Sequence, residues 1–179
     1  MQDADLKSLS MMLAMSNVQA AAGLKSVLIQ LQVDKVFTAG NNQEAVSQLG
    51  DQFYNMILIE EGFPDLGGAD FCRFLRMIDG APSVAPIIYG IKFAEKQRVL
   101  AARDAGASKI VLMPLSPKVL VATIQATIRE IRPFVQTIAF RGPDRRITGD
   151  RPFHGMDRRK VQMGLVSVNK QKKLLGSYD

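Results

Sequence analysis

Residues 55–68 read Asn55-Met56-Ile57-Leu58-Ile59-Glu60-Glu61-Gly62-Phe63-Pro64-Asp65-Leu66-Gly67-Gly68, and the fold is read outward from them. The stretch opens with a short apolar run, 55–59, that stops at two carboxylates, Glu60 and Glu61. It then gives way to Phe71, Phe74, Leu75 and Ile78, spaced i, i+3, i+4, i+7 as on one face of a helix. An uninterrupted apolar run is how a strand buried on both faces reads in sequence. The same alternation continues on either side. Apolar runs at 9–15, 35–38, 86–91 and 110–113 predict four more strands. Leu24, Val27, Leu28 and Leu31 predict a helix after the first strand. Asn41 or Asn42 caps the next, which runs through Leu49 and is closed by Gly50. Residues 94–105 suit a helix ending at Gly106, and Leu120, Ile124, Ile128 and Ile131 stripe the last one. Five strands alternating with five helices imply a doubly wound α/β fold, a five-stranded parallel sheet covered on both faces. Ligands of such sheets sit beyond the carboxyl ends of the strands, so those ends and the loops after them are the positions to inspect.

The chain has 179 residues, enough for one domain and an extension. With 47% hydrophobic and 22% charged residues it carries a core rather than a disordered composition. The formal charge of +6 is unevenly placed. Residues 1–132 hold 13 Lys/Arg and 13 Asp/Glu, whereas residues 133–179 hold 10 and 4. A neutral body therefore carries a cationic tail. A single cysteine, Cys72, excludes an intrachain disulfide framework and a Cys-rich zinc site. A single histidine, His154, excludes a multi-His metal centre, and it lies in the basic tail, away from any Ser-His-Asp arrangement. No Walker loop or GxGxxG occurs. The uncharged run 8–24 is too short and polar to span a bilayer, and Asp3 and Asp5 stand where a signal peptide carries Lys or Arg. The expectation is a cytoplasmic protein with Cys72 reduced. The nine Met residues read as core filler.

With the strand ends marked, residues 9–132 resemble the receiver domain of two-component response regulators. The stretch 55–68 followed by Phe71-Cys72-Arg73-Phe74-Leu75-Arg76 looks like that family's third strand, phosphoacceptor loop and third helix. Ala102-Arg103-Asp104-Ala105-Gly106-Ala107, leading to Met113-Pro114-Leu115-Ser116-Pro117, looks like its Ala-Gly-Ala turn, fifth strand and Lys-Pro loop. The resemblance implies a flavodoxin-like receiver fold and a cis Met113–Pro114 bond. It also implies a set of positions for phosphoryl transfer. The phosphoacceptor Asp falls on Glu60. The acidic pair that holds Mg²⁺ falls on Met15 and Ser16, or on Ser16 and Asn17. The Ser/Thr falls on Ile91, the Lys on Met113 and the aromatic switch on Ile110. Each of these positions departs from the family pattern. A hard divalent cation needs oxygen ligands, and the transferred group needs a cationic partner. The expectation is therefore a degenerate receiver with no catalytic residues, no metal and no cofactor, acting as a phosphorylation-independent adaptor that docks on a signalling protein. Glu60 reads either as a solvated carboxylate at a strand end or as a carboxylate fixing an active-like state. The family's face of fourth helix, fifth strand and fifth helix is the expected docking or homodimer surface, with Lys96, Arg98 and Arg103 beside Asp104 on that helix.

The tail begins at Arg132-Pro133, where proline stops the last helix. The expected division is thus a lead over 1–8, the receiver-like body over 9–132 and the tail over 133–179. Phe140-Arg141-Gly142-Pro143-Asp144-Arg145-Arg146 recurs as Phe153-His154-Gly155-Met156-Asp157-Arg158-Arg159, identical at five of seven positions. Each unit supplies a turn residue, a short carboxylate and forked cations that bind phosphate and guanine edges. Arg141, Asp144, Arg145, Arg146, Asp157, Arg158 and Arg159 are thus candidates for binding an anion such as cyclic di-GMP, a ligand that Arg-rich extensions on receiver-like proteins bind. The alternative is structural, with Phe140 and Phe153 anchoring the tail on the body and Asp144 and Asp157 pairing with neighbouring arginines. Nucleic acid is a lesser option, because the charge suits phosphate contacts but no helix-turn-helix is present.

Overall fold

The computed structural model describes residues 4–33, 35–137, 140–144 and 164–175. Five strands, β1 (Ser10–Ala14), β2 (Lys35–Ala39), β3 (Met56–Glu60), β4 (Ile87–Ile91) and β5 (Lys109–Leu112), form one parallel sheet in the order β2-β1-β3-β4-β5. All five residues of β1, β3 and β4 are buried, whereas the edge strands β2 and β5 are partly open. This is why the inner strands read as continuous apolar runs. Ile57, Leu58 and Ile59 are wholly inaccessible, and each such side chain contributes about 1.5–3 kcal/mol of burial. The sheet is wrapped by α2 (Val18–Gln30), α3 (Asn42–Asp51), α4 (Gly68–Met77), α5 (Lys96–Asp104) and α6 (Pro117–Arg129), after a short leading helix α1 (Ala4–Lys7). Side-chain caps start three of them. Asn17 accepts from the Ala20 N–H, Asn41 from Glu44 and Ser116 from Val119. Asn41, not Asn42, is thus the cap of α3, and that helix runs past Gly50 to Asp51. The Met113–Pro114 bond is cis. Met11, Met12, Met15 and Met56 are core residues, but Met77 is 80% exposed.

The tail adds architecture that periodicity did not reveal. Strands β6 (Phe134–Gln136), β7 (Arg141–Pro143) and β8 (Gly164–Val166) form a small antiparallel sheet in the order β7-β6-β8, followed by α7 (Val168–Leu175). Three-residue strands are too short to show a period of two. Gln171 of α7 is fully buried and donates from Nε2 to the Arg132 and Val166 carbonyls. The sheet packs on the body around Arg76 of α4, which is only 2% exposed. Its Nε and Nη2 donate to the Gly106 carbonyl at 3.0 and 2.9 Å, and its Nη1 donates to Ser83 and Ala85 at 3.0 and 2.8 Å. The guanidinium also lies 4.8 Å from the centroid of the Phe134 ring. Burial lowers its pKa from the usual value to about 10.

Two glycines permit this approach. Gly106 has φ +97, and a Cβ there would lie 3.0 Å from Arg76 Cγ. A Cβ on Gly142 would lie 2.6 Å from Phe140 Cζ and 3.1 Å from Gly106 Cα. Gly106→Ala and Gly142→Ala should each destabilise the protein by about 1–3 kcal/mol in urea unfolding. Gly50→Ala, where an added Cβ meets nothing within 4 Å, should instead stabilise it by about 0.5 kcal/mol. The Cys72 thiol donates to the Ala105 carbonyl, and burial pushes its pKa up to about 11. It stays protonated and covered at pH 8, so Ellman's reagent should label it only after denaturation.

Candidate functional site

Parallel register carries the strand ends to one edge of the sheet. Ala14 lies beside Ile59, Glu60 beside Gly90, and Ile91 beside Leu112. Met15 and Ser16 therefore leave β1 next to Glu60, and Met113 leaves β5 near Gly90. A Cβ on Gly90 would sit 2.8 Å from both Cγ and Sδ of Met113, which places that thioether over the Gly90 backbone. Five of the six pocket positions, Met15, Ser16, Glu60, Ile91 and Met113, thus converge on one end of the sheet. Ile110 lies in β5, half-buried and paired in register with Tyr89. Tyr89 is itself buried, and desolvation followed by the charge of Glu61 raises its pKa.

Glu60 is 8% exposed and is not the solvated residue that one reading of the sequence expects. Both the N–H and the hydroxyl of Ser16 donate to its Oε2, at 3.0 and 2.9 Å. An ionised carboxyl this close to the core needs such donors, and the β1–α2 loop supplies them. Glu61 faces away. Its Oε1 pairs with Arg98 at 2.8 Å and its Oε2 accepts from the Lys92 N–H at 3.3 Å. Met15 and Ile91, 1% and 2% exposed, close the floor with apolar atoms. Among the described residues no three His, Cys, Asp or Glu side chains come together. Ser16→Ala removes one charge-assisted bond from a nearly buried carboxylate and should destabilise the protein by about 1.5–3 kcal/mol in urea denaturation.

The candidate anion set is only partly placed. Arg141 donates from Nη1 to the Ile78 carbonyl at 3.3 Å, and the Asp144 N–H donates to the Pro133 carbonyl at 2.8 Å. These contacts fix the first repeat unit against α4 and β6. Arg145, Arg146, Asp157, Arg158 and Arg159 lie outside the described residues, and so does the expected pairing of the repeat carboxylates with them. A cleft of about 310 Å³ opens between α4, the end of α5 and the tail sheet, lined by Arg73, Arg76, Met77, Asp104, Phe140 and Arg141 among others. Sequence reasoning passed over Arg73 and Arg76. The signal for Arg76 was its place four residues after Cys72 and one after Leu75, on the apolar side of α4.

Comparison with known proteins agrees with this geometry. The response regulator receiver domain model matches residues 16–125. The DNA-binding response regulator MtrA of Mycolicibacterium smegmatis is 29% identical over 90 residues, 50% of this chain and 38% of that protein. The phosphate regulon transcriptional regulatory protein PhoB of Klebsiella pneumoniae is 29% identical over 123 residues, 64% of this chain and 53% of that protein. The chain thus matches about half or less of the length of these curated relatives. Among solved structures, a two-component response regulator from Clostridium difficile superposes with a TM-score of 0.62 at 23% identity, covering 68% of this chain and 97% of the other. The signal receiver domain of a histidine kinase from Syntrophus aciditrophicus gives 0.60 at 19% identity, covering 66% and 88%. Sheet order, strand-end geometry and the match over 16–125 agree: the chain belongs to the response regulator receiver domain family.

Proposed function

We propose that this receiver is a phosphorylation-independent signalling module that acts by docking on a protein partner. The observation that carries the reading is the double hydrogen bond from Ser16 to Glu60. Where the family pattern has an acidic pair that holds a cation, this chain has a serine whose N–H and hydroxyl point at a carboxylate. The local polarity is reversed, from cation-binding to anion-holding. Receiver domains imply Mg²⁺, and the donor set here does not fit it. Met15 offers sulfur, Ser16 turns its donors inward, Glu60 Oε2 accepts both of them, and Glu61 is taken by Arg98 with the Lys92 amide, which leaves too few free carboxylate oxygens for a hard cation. Met113, at the position of the family's lysine, is neutral and fills the space above Gly90. Loss of such an electrostatic contact alone raises a transfer barrier by about 3–4 kcal/mol. The chain has no catalytic role in this reading.

Receiver domains work through partner proteins and often dimerise. The family's docking face corresponds here to α5, β5 and α6, because α1 shifts the helix count by one. It carries exposed Val99 on α5 and Leu112 on the edge strand β5, with Phe93 just before α5 under the Arg98 guanidinium. Among the described residues no helix is long and apolar enough to cross a membrane. Residues 9–132 are the docking body, with 1–8 as its lead, and 133–179 fold back on it in part. A second reading, that the tail binds cyclic di-GMP or another anionic nucleotide, is favoured by one observation: Arg141 of the first repeat unit lines the same cleft as Arg73 and Arg76.

Beryllofluoride with Mg²⁺ should leave the amide resonances around Glu60 and the melting temperature unchanged. A Mg²⁺-dependent shift of those resonances, or a phosphoryl group recovered on Glu60, would overturn the adaptor reading.

A further inference from the structure

We propose that the cleft between the C-terminal end of α4 and the tail sheet binds a phosphate-bearing anion, with Arg76 as its buried floor and Arg73 and Arg141 as its walls. The proposal rests on the anion-binding reading of the tail and moves its site to the seam between tail and body.

One charge at the cleft is unbalanced among the described residues. Arg76 is 2% exposed, and buried charges are ordinarily paired with an opposite charge. Its hydrogen-bond partners are backbone carbonyls, at Gly106, Ser83, Ala85 and, at 3.5 Å, Pro82. No ion pair among the described residues includes it. Carbonyl dipoles satisfy the N–H groups but leave a full positive charge, and the cleft that this side chain lines opens to solvent. A low-dielectric wall concentrates the field of such a charge into the cleft. The other charges around the cleft do not cancel it. Arg73 pairs with Asp70, Asp104 accepts from Arg103, and Arg141 spends Nη1 on the Ile78 carbonyl. Three guanidiniums and one carboxylate line the space. A guanidinium fork binds phosphate bidentately, and a phosphate group has oxygens enough to meet more than one fork. A volume of about 310 Å³ leaves room for more than the phosphate itself, and the Phe140 side chain lines one part of it.

The source of the phosphate, a free ion or a nucleotide, is separated by the test. The full chain is labelled at arginine Nε and titrated with potassium phosphate, with potassium chloride at the same ionic strength, and with cyclic di-GMP. The proposal expects saturable shifts of the Arg76 and Arg141 Nε–H signals with phosphate or the dinucleotide and none with chloride. It expects dissociation constants about tenfold weaker in Arg73→Gln and in Arg141→Gln, the loss of one charge-assisted contact. Arg73→Gln is the cleaner variant, because its exposed pair with Asp70 is dispensable for folding. Binding of phosphate alone, weakened in both variants, upholds the cleft and removes the dinucleotide reading. Cyclic di-GMP binding weakened in both variants upholds both. Cyclic di-GMP binding at unchanged affinity in both variants keeps that reading and overturns the cleft. No saturable shift with either ligand overturns both.

Discussion

A guanidinium sealed inside a protein has to be surrounded by oxygen, and Arg76 gathers that oxygen from separate parts of the chain. It stands near the end of α4, reaches the carbonyls at Ser83 and Ala85 ahead of β4, and reaches the Gly106 carbonyl ahead of β5. Its face is covered by Phe134 of the tail. Leaving a buried donor without its acceptor costs about 1–3 kcal/mol, so each of these segments is held where it is. Much of the local sequence follows from that demand. Gly106 turns through a conformation closed to most side chains and leaves room for the arginine stem, and Gly142 lets β7 run against the turn. The Phe-Arg-Gly of the first repeat unit is, in this setting, a docking element.

The opposite end of the sheet is organised by the reverse problem, a carboxylate that is nearly buried. Glu60 takes its donors from the loop after β1, so β1 and β3 are tied at their carboxyl ends by a hydrogen-bonded carboxyl group. Both Ser16 donors meet the same oxygen, Oε2, and draw that side of the carboxylate toward the loop after β1. Glu60 and Ser16 thereby join the strand ends of β1 and β3.

How much of this was legible in the sequence depended on segment length. The five parallel strands and their helices announced themselves because each is long enough to show an apolar run or a stripe. The convergence of Met15, Ser16, Glu60, Ile91 and Met113 followed from that register. The sense of the Glu60 environment did not, because burial of one carboxylate depends on which way a neighbouring serine turns its donors. Nor did the tail sheet, whose strands of three residues carry no period. Arg76 was hidden for a different reason. A charged residue on an apolar stripe is read as lying at its margin, and only the carbonyls of distant loops make its burial possible.

The order β7-β6-β8 has one more consequence. The chain segment between β7 and β8, which contains the second repeat unit, joins strands that flank β6 on opposite sides. Its ends are anchored two inter-strand spacings apart, about 10 Å. In sequence the second repeat unit lies between these two paired strands. Shortening the chain from its C-terminus does not peel repeats off one at a time. It first removes α7 and β8, and with them the buried Gln171 that ties the tail to the Arg132 carbonyl. A chain ending at Arg132 has lost Phe134, whose ring covers one face of the Arg76 guanidinium.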